Sequence, residues 1–167
     1  MVGGPMRLCI LALSSILVST PVAAQPLVPK EDAPQTDAAR RAWLSVNVHA
    51  AGWDLASVSS SGAFYLRRAD AQPDGPQMPR VWIRQENFPG GGLWATGMHR
   101  SAIALDQFNC REGTSRMLQS TSYEYPDLSG SKVQDETTPT AAWTFVRPDS
   151  IESDFLARAC PKGTPAR

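Results

Sequence analysis

The sequence predicts an α+β domain, an antiparallel sheet of about six strands with a C-terminal helix clamped to it by a disulfide. Three observations lead to that expectation. From Gly52 onward, short runs of alternating apolar and polar residues are separated by Gly, Pro, Ser and Asp, the pattern of strands and turns. Near the end the period changes, and Ile151, Phe155, Leu156 and Ala159 form one apolar stripe at helical spacing. Cys110 and Cys160 are the only cysteines that survive removal of an N-terminal export segment, and two cysteines in an exported chain most simply pair with each other.

The export segment comes first. Met1–Arg7 has one positive charge, Leu8–Val18 is an apolar run broken by Ser14 and Ser15, and Thr20–Ala24 offers small residues ahead of Gln25. That order reads as a secretory signal peptide over residues 1–24, cut between Ala24 and Gln25. The apolar run is shorter than the ~20 residues of a membrane span, and no later stretch approaches that length, so no transmembrane helix is expected. Cys9 lies at the entrance of the apolar run, too early for lipid attachment. The expected product is periplasmic or secreted, with no lipid anchor.

Cleavage removes Arg7 and no acidic residue, turning a balance of 16 basic and 16 acidic side chains into a net charge of −1. Such a chain has no basic field to draw it onto nucleic acid or anionic lipid. Residues 25–51 read as a flexible leader, rich in Pro, Ala, Gln and acids up to Thr36. Asp37 can cap a helix over Ala38–Val48 with Ala39, Trp43 and Val46 on one side, although Leu44, Val46 and Val48 also alternate as a strand would.

Residues 52–161 form the expected domain, with 162–167 as a tail. Trp53–Val58 and Ala63–Arg68 flank the turn residues Ser59–Gly62 as a hairpin. Arg80–Arg84, with Val81, Trp82 and Ile83 at its centre, is the third strand. Arg100–Cys110 and Ser115–Tyr125 follow, joined through Arg111–Thr114. Residues 126–140 are polar, with a turn at Leu128–Ser131, and read as an exposed connection. Ala142–Val146 is the sixth strand. Pro148 ends it, Asp149 or Ser150 caps the last helix, and Glu152 stands at capping-box distance from Asp149. Pro161 and Gly163 end that helix, and Cys160 extends its apolar stripe. Closing the loop of about 50 residues between Cys110 and Cys160 stabilises by ~4 kcal/mol on chain-entropy grounds.

Several of these residues come in a known order. Val81-Trp82-Ile83, Phe108-Asn109-Cys110, Arg116, Tyr123 or Tyr125 ahead of Gly130, then Trp143, Pro148, Ser150 and Ala159-Cys160 resemble the surface-adhesin protein E family over roughly Trp53–Cys160. The resemblance implies a small exported bacterial domain with a β-sheet, a C-terminal helix and a cysteine pair, and a role in binding or adhesion at the envelope. This chain departs from the pattern in four places. Asp149 stands where a Gly is expected, Arg67-Arg68 lies where the second strand has an acid, Phe88–Met98 lengthens the middle loop, and a lipid-attachment cysteine is missing.

Catalytic and cofactor motifs are scarce. His49 and His99 are the only histidines, and neither has a Cys, His or acid at ligand spacing, so no metal and no cofactor is expected. Gly90-Gly91-Gly92 fits neither a dinucleotide fingerprint nor a phosphate loop. Asp135-Glu136 lies in the polar connection, and Arg40-Arg41 and Arg67-Arg68 are too sparse for a nucleic-acid stripe. Trp53, Trp82 and Trp143, at strand centres, are expected in the core.

The favoured function is an exported, non-enzymatic module that binds a protein or envelope component through loops or a sheet edge. Its candidate binding loop is Gly90, Gly91, Gly92, Leu93 and Trp94, where glycines allow close backbone approach beside two large apolar side chains. The alternative is a small hydrolase or lyase using acids such as Asp54 or Asp106. The export reading has a direct check: mass spectrometry of the protein recovered outside the cytoplasm should place the N-terminus within a residue or two of Gln25. An intact Met1 would overturn it.

Overall fold

The computed structural model describes residues 33–90 and 99–160. Its first element is helix α1 (Asp37–Asn47). Six strands then pair antiparallel in chain order: β1 (Asp54–Val58), β2 (Gly62–Arg68), β3 (Arg80–Asn87), β4 (Ser101–Asn109), β5 (Thr114–Tyr125) and β6 (Ser129–Thr137). A two-residue strand, β7 (Thr144–Phe145), pairs with the start of β5. Helix α2 (Ile151–Ala159) completes the set, and Cys110 is bonded to Cys160. Signal residues Ala24 and Gln25 lie outside the described residues. No described helix is long and apolar enough to cross a membrane.

The register explains why the first half of the sheet is covered on both faces. Adjacent residues of a strand point to opposite faces, and directly paired residues share one. Leu66 pairs with Ile83, and both join Val81 and Phe108 in a core closed by Phe155 and Ala159 of α2. Tyr65, one residue before Leu66, faces the other way and packs with Ala63 and Phe88 against Leu44 of α1 and Val48. The helices therefore cover opposite faces. The β1–β2 turn fits closely against β3: a Cβ on Gly62 would stand 2.3 Å from the Glu86 carbonyl oxygen, so only glycine is accommodated.

The cap of α1 differs from expectation, and α2 takes the second of its two expected caps. Thr36 caps α1 by accepting from the Ala39 N–H at 3.1 Å, while Asp37 binds the Arg40 guanidinium at 2.8 Å. The buried side is Leu44 with Val48, one turn apart, and Val46 is exposed. Trp43 still reaches the core, meeting Phe88 edge-on at 5.3 Å. Ser150 caps α2, accepting from the Ser153 N–H at 3.3 Å, so the capping box from Asp149 is not used.

Two further expectations are corrected. The polar stretch 126–140 contains β6, whose turn is built on Asp127 (φ 63°) and Leu128 (φ 54°). All residues of β6 are exposed, so its pairing to β5 rests on ladder hydrogen bonds and leaves no hydrophobic alternation in the sequence. Trp53, Trp82 and Trp143 are only half-buried. Instead of filling the core, Trp53 and Trp143 each lie under a guanidinium, of Arg67 and Arg116 respectively, 4.6 Å from the ring centre.

One ion-pair knot fastens the β5–β6 turn to the rest. On β3, Arg84 is 4% exposed and Glu86 0%, with Arg84 Nε donating to Glu86 Oε1 at 2.7 Å. Arg84 also donates to Asp127 Oδ1 at 2.6 Å and to the His49 carbonyl at 3.1 Å. The Asp127 N–H donates to Glu86 Oε2 at 3.0 Å, and the His49 N–H to Asp127 Oδ1 at 2.7 Å. Burial pushes the Glu86 carboxyl above its ordinary range, against the pull of the Asp127 N–H and Arg84. Burial also opposes ionisation of Asp127, but hydrogen bonds from Arg84 and His49 hold it below the usual carboxylate range.

Removing Arg84 should leave both carboxylates uncompensated. Arg84→Met is expected to cost about 3 to 5 kcal/mol at pH 7, the usual penalty for breaking a buried pair. Glu86 gains stability when protonated and loses it as pH rises, whereas Asp127 loses Arg84's support chiefly where it is ionised, so the deficit should narrow towards pH 4.5. Urea midpoints of both proteins at the two pH values check this, and an equal deficit at both would contradict it.

Candidate functional site: the β6–β7 edge

Among the described residues, neither core cluster includes a residue of the second half of the sheet, β5, β6 or β7. β4 occupies one side of β5, at Ser101–Asn109, so β6 and β7 share the other. Among the described residues no strand pairs with the outer edge of β6. A long edge with free N–H and C=O groups is a template for another chain unless it is blunted. Here the register shifts near Tyr123, and Lys132 with Asp135, 3.2 Å apart, supplies the main charge.

Large apolar side chains gather on this half. Six are exposed among the described residues: Val46, Leu55, Met117, Tyr125, Val133 and Phe145. The last four belong to β5, β6 and β7. Phe145 is 78% exposed, although β7 is fixed by its pairing to Thr114 and Ser115 and by the Val146 N–H donating to the Gly113 carbonyl at 3.0 Å. Two residues earlier, Trp143 stacks on Arg116, whose Nε and Nη2 donate to Gln107 Oε1 at 3.0 and 2.7 Å. Gln107 is fully buried and donates in turn to Asp74 at 2.7 Å. The sheet thus holds the β7 backbone and the Trp143 ring in place.

The turn at the other end of β6 is equally fixed. Leu128 donates its N–H to Ser101 Oγ at 3.0 Å, and Ser101 donates to the Tyr125 carbonyl at 2.6 Å. Gly130 (φ 79°) lies beneath the Tyr125 ring, 2.5 Å from where a Cβ would stand. The Tyr–Gly spacing seen in the sequence is therefore a packing pair that supports the edge.

The expected binding loop is described only at its base. Phe88 and Pro89 are buried, and Gly90 is exposed with φ 69°, facing Ala33. Gly91, Gly92, Leu93 and Trp94 lie outside the described residues. The two histidines are separated, His49 beside Asp127 and His99 two residues before β4, where burial lowers its pKa. Among the described residues no group of three His, Cys, Asp or Glu could hold a metal ion.

Asp54 and Asp106 are not brought together. They share a sheet face, but β2 and β3 separate their strands. Asp54 is exposed at the start of β1. Asp106 pairs with Met117 beside a bulge in β5, with Oδ1 buried and unpartnered. Burial pushes its carboxyl up to about 7, and Glu152 on α2 adds like charge. Nothing in the sequence separates Asp106 from other acids, because its burial and its nearness to Glu152 come from distant parts of the chain.

No curated protein and no solved structure matches the chain. The family model of Surface-adhesin protein E matches residues 53–161. The chain belongs to that family. The match spans β1 to α2, including the open edge and both disulfide cysteines, and it begins after α1.

The Asp106 environment has a measurable consequence. A carboxyl raised from about 3.8 to about 7 favours folding below pH 3.8, and that contribution is lost as pH rises to 7. Asp106→Asn should therefore gain on the parent protein between pH 5 and pH 8, on the order of 2 to 4 kcal/mol. Urea unfolding at both pH values tests it, and parallel pH curves would refute it.

Proposed function

We propose that this protein is an exported, non-enzymatic binding module of the bacterial cell envelope that captures a protein or envelope component along the β6–β7 edge. The observation behind this reading is the edge itself. Strand β6, exposed along its whole length and paired on one side only among the described residues, presents Val133 beside Tyr125 and a nearly naked Phe145. Exposed apolar side chains beside free backbone groups suit strand addition, in which main-chain hydrogen bonds give affinity and side chains give selectivity. Membership of an adhesin family supports the same class of activity. The hydrolase or lyase alternative draws on Asp54 and Asp106, which stand on separate parts of the sheet, and the lower free energy of a protonated Asp106 is accounted for by its burial. The reading of residues 1–24 as an export segment supports a location outside the cytoplasm.

Val133→Lys combined with Phe145→Ser removes apolar contact without touching a buried group. The double variant should keep the parent melting temperature within about 2 °C, since exposed substitutions away from special features are near neutral. Its capture of envelope or host-surface protein in a pull-down should fall about tenfold or more. Unchanged capture with unchanged stability would overturn the edge as the binding site.

A further inference from the structure

Helix α1 covers only part of its face of the sheet, where Trp43, Leu44 and Val48 pack around Tyr65 and Phe88. The register sets the next row across the strands: Arg67 of β2 pairs with Trp82 of β3, and Trp82 with Leu105 of β4. Arg67 and Trp82 alternate with Leu66, Val81 and Ile83 of the core under α2, and paired residues share a face, so the row points to the α1 side. Trp82 and Leu105 are half-buried and belong to neither core cluster. One row further, Arg80 pairs with Gln107 and Gln107 with Arg116 on the same face. Three strand spacings and two residues of rise set the Arg67 and Arg116 Cα atoms roughly 16 Å apart. Trp82 and Leu105 lie between them.

The charges on this face do not balance. Register also puts Glu86 and Asp135 on it, but Glu86 is matched by Arg84 and Asp135 by Lys132. Asp74, in the β2–β3 connection, is matched by Arg80. Arg67 and Arg116 have no acidic partner among the described residues. Each is laid instead against an indole, 4.6 Å from the ring centres of Trp53 and Trp143 respectively. Arg116 uses two of its donors on Gln107. A guanidinium has five N–H donors in a rigid fork, so both arginines keep donors for a ligand. Stacking on a ring also reduces the side-chain entropy that binding would otherwise cost.

We propose that this uncovered part of the α1 face binds an acidic glycan in which uronates are spaced by neutral sugars. One carboxylate lies on Arg67, another on Arg116, and the sugar rings between them rest on Trp82 and Leu105. Guanidinium forks match carboxylates bidentately, and the electron-rich face of an indole suits the polarised C–H groups of a sugar ring. A single nucleic-acid strand, with one phosphate per ~3.4 Å, would set further charges over the apolar stretch between the two arginines, where no cation answers them. None of the four residues belongs to β6 or β7, so the site is separate from the edge.

The test titrates three probes into the full chain by calorimetry: a hyaluronan hexasaccharide, its carboxyl-reduced counterpart and hexathymidylate. The hexasaccharide should bind one to one and weaken as salt rises, and the carboxyl-reduced form should bind at least about tenfold more weakly for lack of charge-assisted bonds. Arg67→Gln, at an exposed position, should weaken the hexasaccharide about tenfold, and Arg67→Lys should recover part of the loss. Trp82→Leu keeps the face apolar and should weaken it about fivefold through loss of the indole. Melting curves confirm that each variant folds. The Val133→Lys and Phe145→Ser double variant should bind the hexasaccharide like the parent, which keeps the outcome separate from that of the edge. No hexasaccharide binding, equal binding of its carboxyl-reduced form, full affinity in Arg67→Gln, or tighter binding of hexathymidylate would each overturn the proposal.

Discussion

The buried pair of Arg84 and Glu86 is the constraint on which the rest of the sheet depends. Two full charges on alternate positions of a central strand are tolerable only if each is answered by further hydrogen bonds. Those bonds come from distant parts of the chain: the Asp127 carboxylate and N–H from the β5–β6 turn, and the His49 carbonyl from the segment after α1. The demand to satisfy two buried charges thereby locates a turn and a helix exit. It also explains a costly backbone. A non-glycine residue in the left-handed region costs roughly 1–2 kcal/mol, and Asp127 and Leu128 occupy it in succession. The bonds to Arg84, Glu86, His49 and Ser101 hold them there, so β6 starts at a fixed position although it buries no side chain.

The two halves of the sheet divide the labour. Strands β1 to β4 bury apolar residues on both faces, beneath α1 on one and α2 on the other. Strands β5 to β7 are covered by neither core cluster, and their side chains run to Ser, Thr, Gln and charge, with a few exposed apolar residues among them. Hydrophobic burial supplies the stability of the first half. The second is held by ladder hydrogen bonds, the Trp143–Arg116–Gln107 stack and the turn. Its edge can therefore change in sequence without disturbing the core, which is the freedom a recognition surface needs.

The sequence makes the covered half legible and the open half much less so. Strands β1 to β5 announce themselves by apolar runs between turn residues, and α2 by its apolar stripe at helical spacing. The cysteine pair follows from counting. β6 is hidden because burial is what writes alternation into a sequence, and Ser129–Thr137 buries nothing. The buried side of α1 is ambiguous in the sequence for a related reason: Ala39, Trp43 and Val46 fit a helical face as well as Leu44 and Val48 do, and only the socket formed by Ala63, Tyr65 and Phe88 decides between them. The three tryptophans misled through their size. Indole is apolar enough to suggest a core, yet at a sheet face it can serve as a platform for arginine. The Arg84–Glu86–Asp127 knot has no local signature at all, since its partners are 41 and 43 residues apart.

The family positions gain a physical meaning when set in the fold. The place between Pro148 and Ser150 where a glycine is expected has φ 59° in this chain, so what that position requires is a left-handed backbone. Asp is among the few other residues that adopt it readily, and the substitution keeps the turn into α2 intact. Gly130 is retained because the Tyr125 ring occupies the space of a Cβ, and Cys160 because α2 needs its C-terminal end tied to β4. These residues all maintain the frame around the sheet. Tyr125, whose ring closes over Gly130, is the family position that also reaches the β6–β7 edge, so there the frame and the exposed surface share a residue.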